Sequence, residues 1–546
     1  MSSTLDPRFY YLHNFRKALA WIGDRNADLL DAREQAFLHA FDALDWSAQA
    51  LLVRMIMRKG VHFRASKLNY EEIGCCRQAA AALIANGWVL DDAALSLDEL
   101  LALLRKDEII ASFAAQLSDR RARKDDLALQ LAEQYQSSQS FTAWCSGIND
   151  VLYSLTIDDL SERLRLMFFG NLRQEWSEFV LADLGIFRYE RVDFPASSRA
   201  LRCREDVDDY LHLQRCREIF EAGEISDELL ACIDARRYDN PYIAERRAKL
   251  LFRIGQHLER CAEFDLALQV YASSGYGAAR QRRIRVLERT LQHREAFELA
   301  SQAVSEPISD GELQLAERAL ARLSRHLGLP AQKRGKAPTP ARLDLQLPRA
   351  PLLAVEQMVQ LHLQRSEAPV HYVENTLICS LFGLLCWPAI FAAIPGAFFH
   401  PFQHGPADLL TAEFYTRRRK LFTECLAQLE DERYRDNIRQ TYRDKFGLQS
   451  PFVHWGVLSE TLLEQALDCL PAAHLRAWFG RLLGDIQANR SGMPDLIQFW
   501  PEEKRYRMIE VKGPGDRLQD NQRRWLAFCA EHGMPVDVCY VQWADA

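Results

Sequence analysis

One stretch near the C-terminus constrains the fold most. Leu496 to Trp500 is a short apolar run, Pro501 to Lys504 reads as a turn, and Arg505 to Lys512 reads as a second strand. Strand alternation puts Tyr506, Met508, Glu510 and Lys512 on one face and Ile509 and Val511 on the other. If the two strands pair antiparallel, Asp495 at the entrance of the first comes close to Glu510. Carboxylates held together repel, and a cation relieves the repulsion. Oxygen donors alone suit a hard ion such as Mg²⁺ or Mn²⁺. Lys512, beside them, suits orienting a water or offsetting charge on a phosphate. A solvated charged hairpin is the plainer reading of the same residues. The Gly513-Pro-Gly-Asp-Arg517 loop leads to a helix expected around Gln522 to Glu531 and a last strand over Pro535 to Val541. The order is strand, strand, helix, strand.

The rest of the chain is too long for one core. At 546 residues it calls for about three to five domains. The net charge of −7 excludes a general basic coat, so a nucleic-acid partner has to be held by local patches. Thirteen cysteines without Cys-x-x-Cys spacing favour a reducing compartment and argue against a structural zinc site. Met1 to Pro7 does not read as a signal peptide. The most apolar stretch, Thr376 to Phe399, is broken by Pro388, Pro395 and Gly396, and reads as a buried helix and turn in preference to a membrane span.

At the N-terminus, Leu12, Phe15, Leu19 and Ile22 share a helical face, and helices follow over Arg33 to Phe41 and Trp46 to Arg58. Tyr70 to Gly87 suggests two small helices, Trp88-Val89-Leu90 a wing, and Asp98 to Leu103 and Asp107 to Ala115 two more helices. This pattern suits a DNA-backbone-binding module of SAP or winged-helix kind, with Arg54, Arg58, Lys59, Arg64 and Lys67 as candidate contacts. A charged surface at helix ends explains the same residues. From about Leu117 to Leu327 the chain is almost wholly helix-forming. Cys261 to Leu268 and Arg294 to Ala300 carry a partial repeat flavour, which points to a TPR-like helical array. Arg282, Arg285 and Arg289 can line one face of it, as a nucleic-acid track or an ordinary solvated face. Leu329 to Pro340 is a Pro/Gly/Lys-rich linker. Beyond it, a helix over Leu352 to Gln364 is followed by His371 to Trp387, where Glu374 would share a helical face with Ile378, Leu381 and Leu385. A carboxylate on such a stripe is costly unless paired or metal-bound, although an acid at a helix start is also favoured by the dipole.

Together these residues resemble the Fanconi-associated nuclease family, whose catalytic module is a VRR-NUC nuclease of the restriction type. The likeness rests on Gly492-Met-Pro-Asp495-Leu and on Glu510-Val-Lys-Gly-Pro-Gly-Asp-Arg-Leu518 with Gln522 and Trp525. It extends to Glu374 with Leu381-Phe-Gly-Leu-Leu-Cys-Trp387, to Phe414-Tyr-Thr-Arg-Arg418, and to blocks at Tyr10 to Phe15 and Val53 to Ile73. It is weakest from about residue 120 to 340. The lack of a ubiquitin-binding zinc finger is similar to the shorter microbial members.

The resemblance implies a multidomain, mostly α protein with a C-terminal α/β restriction-endonuclease-like core. Its expected parts are a SAP/winged-helix-like region over 1–120, a TPR-like array over 121–328, a linker over 329–345 and a nuclease domain over 346–546 with its core at about 430–546. It implies a metal-dependent 5′-flap endonuclease and 5′-to-3′ exonuclease of interstrand crosslink repair, acting on branched or 5′-flap DNA, with no membrane and no organic cofactor. Glu374, Asp495, Glu510 and Lys512 take the catalytic roles, and Glu374, Asp495, Glu510 and the Val511 carbonyl hold Mg²⁺ or Mn²⁺. Arg490, Arg517 and Gln522 are expected near the reacting phosphate; Arg54, Arg64, Lys67, Arg282 and Arg285 are expected on the DNA arms. Gln487 stands where the family pattern leads one to expect a cation. A junction resolvase, a restriction-type nuclease and a non-catalytic DNA-binding scaffold are the competing readings. The compartment is the cytoplasm and nucleoid of a bacterium, or a eukaryotic nucleus.

Overall fold

The computed structural model describes residues 7–178, 187–330, 340–350 and 352–544. The leader reading over Met1 to Pro7 and the linker reading at 329–345 fall largely outside them. The chain forms two compact units: 1–187 with 201–208, and 188–200 with 209–546.

The first unit opens with the helices expected from the sequence, Tyr10–Asn26, Ala32–Ala43 and Trp46–Ile56. Leu12, Phe15, Leu19 and Ile22 all lie in its core. Asp31 and Asp45 cap the second and third helices by accepting hydrogen bonds from backbone N–H groups. Tyr70 to Gly87 holds one helix, Cys76–Ala85, where two were expected, because Tyr70 to Gly74 closes as a turn. Strand β1 (His62–Arg64) and the wing strand β2 (Val89–Asp91) are followed by β3 (Ala94–Leu95), β4 (Gln139–Ser140) and β5 (Leu152–Leu155). β5 is the centre of the sheet β1-β5-β2, and β3 pairs with β4. One hydrophobic core runs across the boundary expected at residue 120. Leu127, Leu131, Phe141, Trp144 and Leu152 complete one core with Leu97, Leu100 and Ile109. These pairings join residues far apart in sequence, which local composition does not register.

In the second unit the helical array begins later than expected. Pro241–Arg260, Phe264–Ser274, Ala279–Arg289, His293–Ser305 and Asp310–His326 pack each on the next. Ala296, Ala300, Ala303, Ala316 and Ala319 are buried between them, and small side chains let the helices approach closely. The same turn recurs after three of these helices. Glu263, Gln292 and Leu329 each donate a backbone N–H across the turn, and the preceding Ala262, Leu291 and Gly328 have φ of 65°, 62° and 67°.

The C-terminal sheet has five strands in the order β6-β10-β9-β8-β7: β6 (Ala341–Pro348), β7 (Val370–Tyr372), β8 (Leu496–Trp500), β9 (Arg505–Lys512) and β10 (Val536–Ala544). β8 and β9 are the two strands of the expected hairpin, antiparallel with Leu496 opposite Ile509. The Asp520–Glu531 helix carries the chain over to β10, which runs parallel to β9 and β6. β6 and β7 correct the expected core at 430–546, because both lie before it and β6 begins inside the expected linker. Ile509 and Val511 pack with the Val355–Leu363 helix; Tyr506 and Met508 pack on the other side against the helices inserted between β7 and β8. In the apolar stretch, Leu377–Leu385 is a helix buried along its whole length, followed by the short helix Trp387–Ile390. No helix among the described residues is long and apolar enough to cross a membrane.

Candidate active site

The strand pairing brings the acids together. Since Leu496 faces Ile509 across the ladder, Asp495 comes opposite Glu510. Asp495 is fixed by its own backbone as well: its carboxylate accepts the Val511 N–H at 2.7 Å, and its carbonyl accepts the Val373 N–H at 2.9 Å. Lys512 Nζ donates to Glu510 Oε1 at 2.6 Å, with both side chains buried. The other carboxylate oxygen of Glu510, Oε2, is buried with no hydrogen-bond partner among the described residues. Leaving such an oxygen bare is costly, and a bound cation satisfies it.

Glu374 reaches this cluster from a different setting than expected. It lies in the turn between β7 and the Leu377–Leu385 helix, so it shares no helical face with Ile378, Leu381 and Leu385. β7, pairing with β8 beside Asp495, positions it. Asn375, at φ +55°, accepts the Met493 N–H at 3.1 Å and donates to Glu374 Oε1 at 3.1 Å. Tyr372 donates to Glu374 Oε2 at 2.5 Å. Gly492, at φ +89°, opens the turn into Asp495; a Cβ there would stand 2.8 Å from the Asn521 side chain.

The electrostatics of the cluster are those of excess negative charge. Burial, offset in part by the Val511 N–H and Lys512 and reinforced by Glu374 and Glu356, pushes the Asp495 carboxyl up to about 6. Burial, then Asp495, pushes Glu510 up to about 7 against the pull of Lys512. Burial and Glu374 push the Tyr372 hydroxyl above its usual range. Glu356, in the first turn of the Val355–Leu363 helix, is the acid that the sequence does not reveal. Its helix was expected, but no local spacing connects it to residues more than a hundred positions later. An oxygen-rich, lysine-bearing site of this kind fits a hard divalent ion.

The other expected contacts divide. Arg490 and Arg517 are exposed. Desolvation, and then the charge of Arg490, lower the pKa of His404 and of His454. Gln522 serves its own helix, accepting the Gln519 N–H at 2.8 Å. Arg282 and Arg285 share a helix face with Arg289 as expected, and all three lie within 4 Å of the one buried carboxylate Glu259. Arg54 is taken up by Glu72 at 2.5 Å and stacks over Tyr11, so it is a poorer surface contact than expected. Arg64 is corrected outright as a surface cation: it is 7% exposed and bonded to Glu108 and Asp150. Lys67 remains exposed.

Three family models match the chain. Residues 429–543 match the VRR-NUC domain, 9–90 the FAN1, HTH domain, and 94–144 the Fanconi anemia-associated nuclease SAP domain. The first of these excludes β6, β7 and Glu374. Over 544 residues the chain is 57% identical to a Fanconi-associated nuclease 1 homolog of Pseudomonas aeruginosa, covering 99% of this chain and 97% of that protein. Over 615 residues it is 25% identical to a homolog of the same name from Arabidopsis thaliana, covering 98% of this chain and 67% of that one. The fold is similar to crystal structures of paFAN1 bound to 5′-flap DNA with a gap. For the 2-nt flap the TM-score is 0.92 at 56% identity, covering 100% of both chains. For the 1-nt flap the TM-score is 0.90 at 56% identity, covering 98% of this chain and 100% of that one.

Proposed function

Because the chain belongs to the Fanconi-associated nuclease family, we propose that this DNA nuclease cleaves at 5′ flaps and trims from 5′ ends, in the repair of crosslinked duplexes, using Mg²⁺ or Mn²⁺. The observation that carries the reading is the convergence of Asp495, Glu510 and Glu374 around Lys512, with one Glu510 oxygen left bare. Glu374, Asp495, Glu510 and the Val511 carbonyl would hold the ion. A divalent ion bound there supplies Lewis-acid chemistry, polarising the scissile phosphate and lowering the pKa of the attacking water.

The chain's own residues do the rest. Asp495 is held in place by the Val511 N–H, and Glu374 by Tyr372 and Asn375, so the donors are set before substrate arrives. Lys512 donates to Glu510, and from that position it orients the attacking water and offsets charge that develops on the phosphate. Arg490, whose charge acts on His404 and His454, and Arg517 are exposed cations that suit a terminal phosphate. Arg282, Arg285 and Arg289, three cations around one carboxylate, suit contacts to a duplex backbone, as does Lys67. Such contacts read DNA shape and ends more than sequence.

The test is cleavage of a 5′ flap, a 3′ flap and a four-way junction by wild type, Asp495→Ala and Lys512→Ala with Mn²⁺. The expectation is a preference for the 5′ flap, and a loss of about 10²-fold or more in each variant. Undiminished cleavage by the variants would overturn the site; a preference for the four-way junction would overturn the substrate.

A further inference from the structure

Away from the carboxylates, three soft donors meet in the helix pair that precedes the array. His212 and Cys216 lie one turn apart on the Arg204–Glu221 helix, and Cys232 lies on the Asp227–Asp234 helix. The two sulfurs are 3.7 Å apart. His212 Nε2 is 3.9 Å from Cys216 Sγ and 3.8 Å from Cys232 Sγ. The three donor atoms thus form a nearly equilateral triangle. A tetrahedral zinc ion with bonds of about 2.3 Å to sulfur and about 2.0–2.1 Å to nitrogen needs sulfurs about 3.8 Å apart and a sulfur–nitrogen separation of about 3.6 Å. The observed edges are close to those values. The sulfur separation is also far from the roughly 2.05 Å of a disulfide, and all thirteen cysteines are free thiols.

We propose that His212, Cys216 and Cys232 form a zinc site that ties these two helices together, with solvent as the fourth ligand. Two thiolates and an imidazole select a borderline-soft ion such as Zn²⁺ over Mg²⁺ or Mn²⁺, the reverse of the oxygen-only cluster at the sheet. Cys216 is buried, whereas His212 and Cys232 are half-buried, which leaves the fourth position open to water. The Cys232 carbonyl lies 2.9 Å from His212 Nε2, so the metal-free ring carries its proton on Nε2 and donates it there; binding an ion at Nε2 breaks that hydrogen bond and requires the tautomer protonated on Nδ1. The two cysteines bind as thiolates, so loading releases their thiol protons. The sequence hides the site: the spacing His212-x₃-Cys216 followed sixteen residues later by Cys232 matches no paired-cysteine motif.

The experiment titrates untagged, reduced, full-length protein with Co²⁺ and records the thiolate-to-cobalt charge-transfer band. Carboxylates cannot produce that band, so the readout is blind to the catalytic cluster. One equivalent should saturate it in wild type and in Glu510→Gln, and Zn²⁺ should displace the cobalt. The band should vanish in Cys232→Ser, whose half-exposed position tolerates a hydroxyl, and persist in Cys75→Ser. Absence of the band in wild type would overturn the proposal, as would its survival in a Cys232→Ser protein that keeps the wild-type circular dichroism.

Discussion

Two clusters of charge set in the interior of this protein, one in each unit, mean different things. In the first unit, Arg64 donates to both oxygens of Glu108 at 2.7 Å and to Asp150 at 2.8 Å, while Ser66 donates twice more to Asp150. Burial raises the pKa of both carboxyls. For Glu108 the Arg105 N–H and the Arg64 guanidinium outweigh it; for Asp150 Ser66, Arg64 and the Val151 N–H do. Both end below the ordinary carboxylate range. At the C-terminal sheet, Asp495 and Glu510 feel Lys512 as a cation but also the charge of Glu374, and both end well above that range. The first cluster is complete and structural. Among the described residues the second holds more carboxylates than cations, which is what marks it as a binding site. The donor inventory of the surroundings, more than residue type, separates a buried ion pair from a catalytic centre.

The sharpest way to break this comparison is to remove the cation from the complete cluster. Arg64→Met strands the Asp150 side chain in the interior and leaves the half-buried Glu108 without its cation, and we expect a loss of about 3–5 kcal/mol in the stability of the first unit, read from urea denaturation. A loss below about 1 kcal/mol would make Arg64 the surface cation that its sequence position suggested.

The incomplete cluster should show the opposite pH behaviour. Unfolded Asp and Glu titrate at about 3.9 and about 4.3, whereas Asp495 and Glu510 titrate at about 6 and about 7 in the folded chain. Between those limits the native state binds more protons than the unfolded one. The stability contributed by the protonated carboxyls is therefore full below about pH 4 and is lost as pH rises through about 7. Denaturation in EDTA across that range should show the decline. Glu510→Gln should flatten it, and Mg²⁺ or Mn²⁺ should restore stability at the upper end. A metal-free curve that rises over the same interval would contradict the electrostatics drawn for the site.

The smallest effect belongs to Tyr372→Phe. It removes the 2.5 Å hydrogen bond to Glu374 and leaves every carboxylate in place. One such bond is worth about 1 kcal/mol, so cleavage should fall a few-fold, with a raised requirement for Mn²⁺ and little change in fold stability. An unchanged metal titration would show that Asn375 alone orients Glu374.

Several of these features are legible in the amino-acid sequence. The β8–β9 hairpin, the side on which Glu510 and Lys512 stand, and the buried face of Tyr10–Asn26 follow from periods of 2 and 3.6 residues, which the chain carries locally. The recurring turns at Ala262 and Leu291 are half visible in the Ala-rich repeats. The likeness to the nuclease family supplies Glu374, and no periodicity does; the short strand β7 displaces its segment from the helix that the apolar spacing suggests.

What the amino-acid sequence determined alone was therefore which residues share a face, because that depends on backbone geometry over a few residues. Only the tertiary structure decided what each face meets. It spent Arg64 on Glu108 and Asp150, and set β6 and β7 against strands encoded about 130 to 195 positions later. It also added Glu356 to the acids and brought Cys232 to His212 and Cys216. Those outcomes depend on pairings between distant segments, whose free energy resides in burial and charge compensation that no local window of sequence contains.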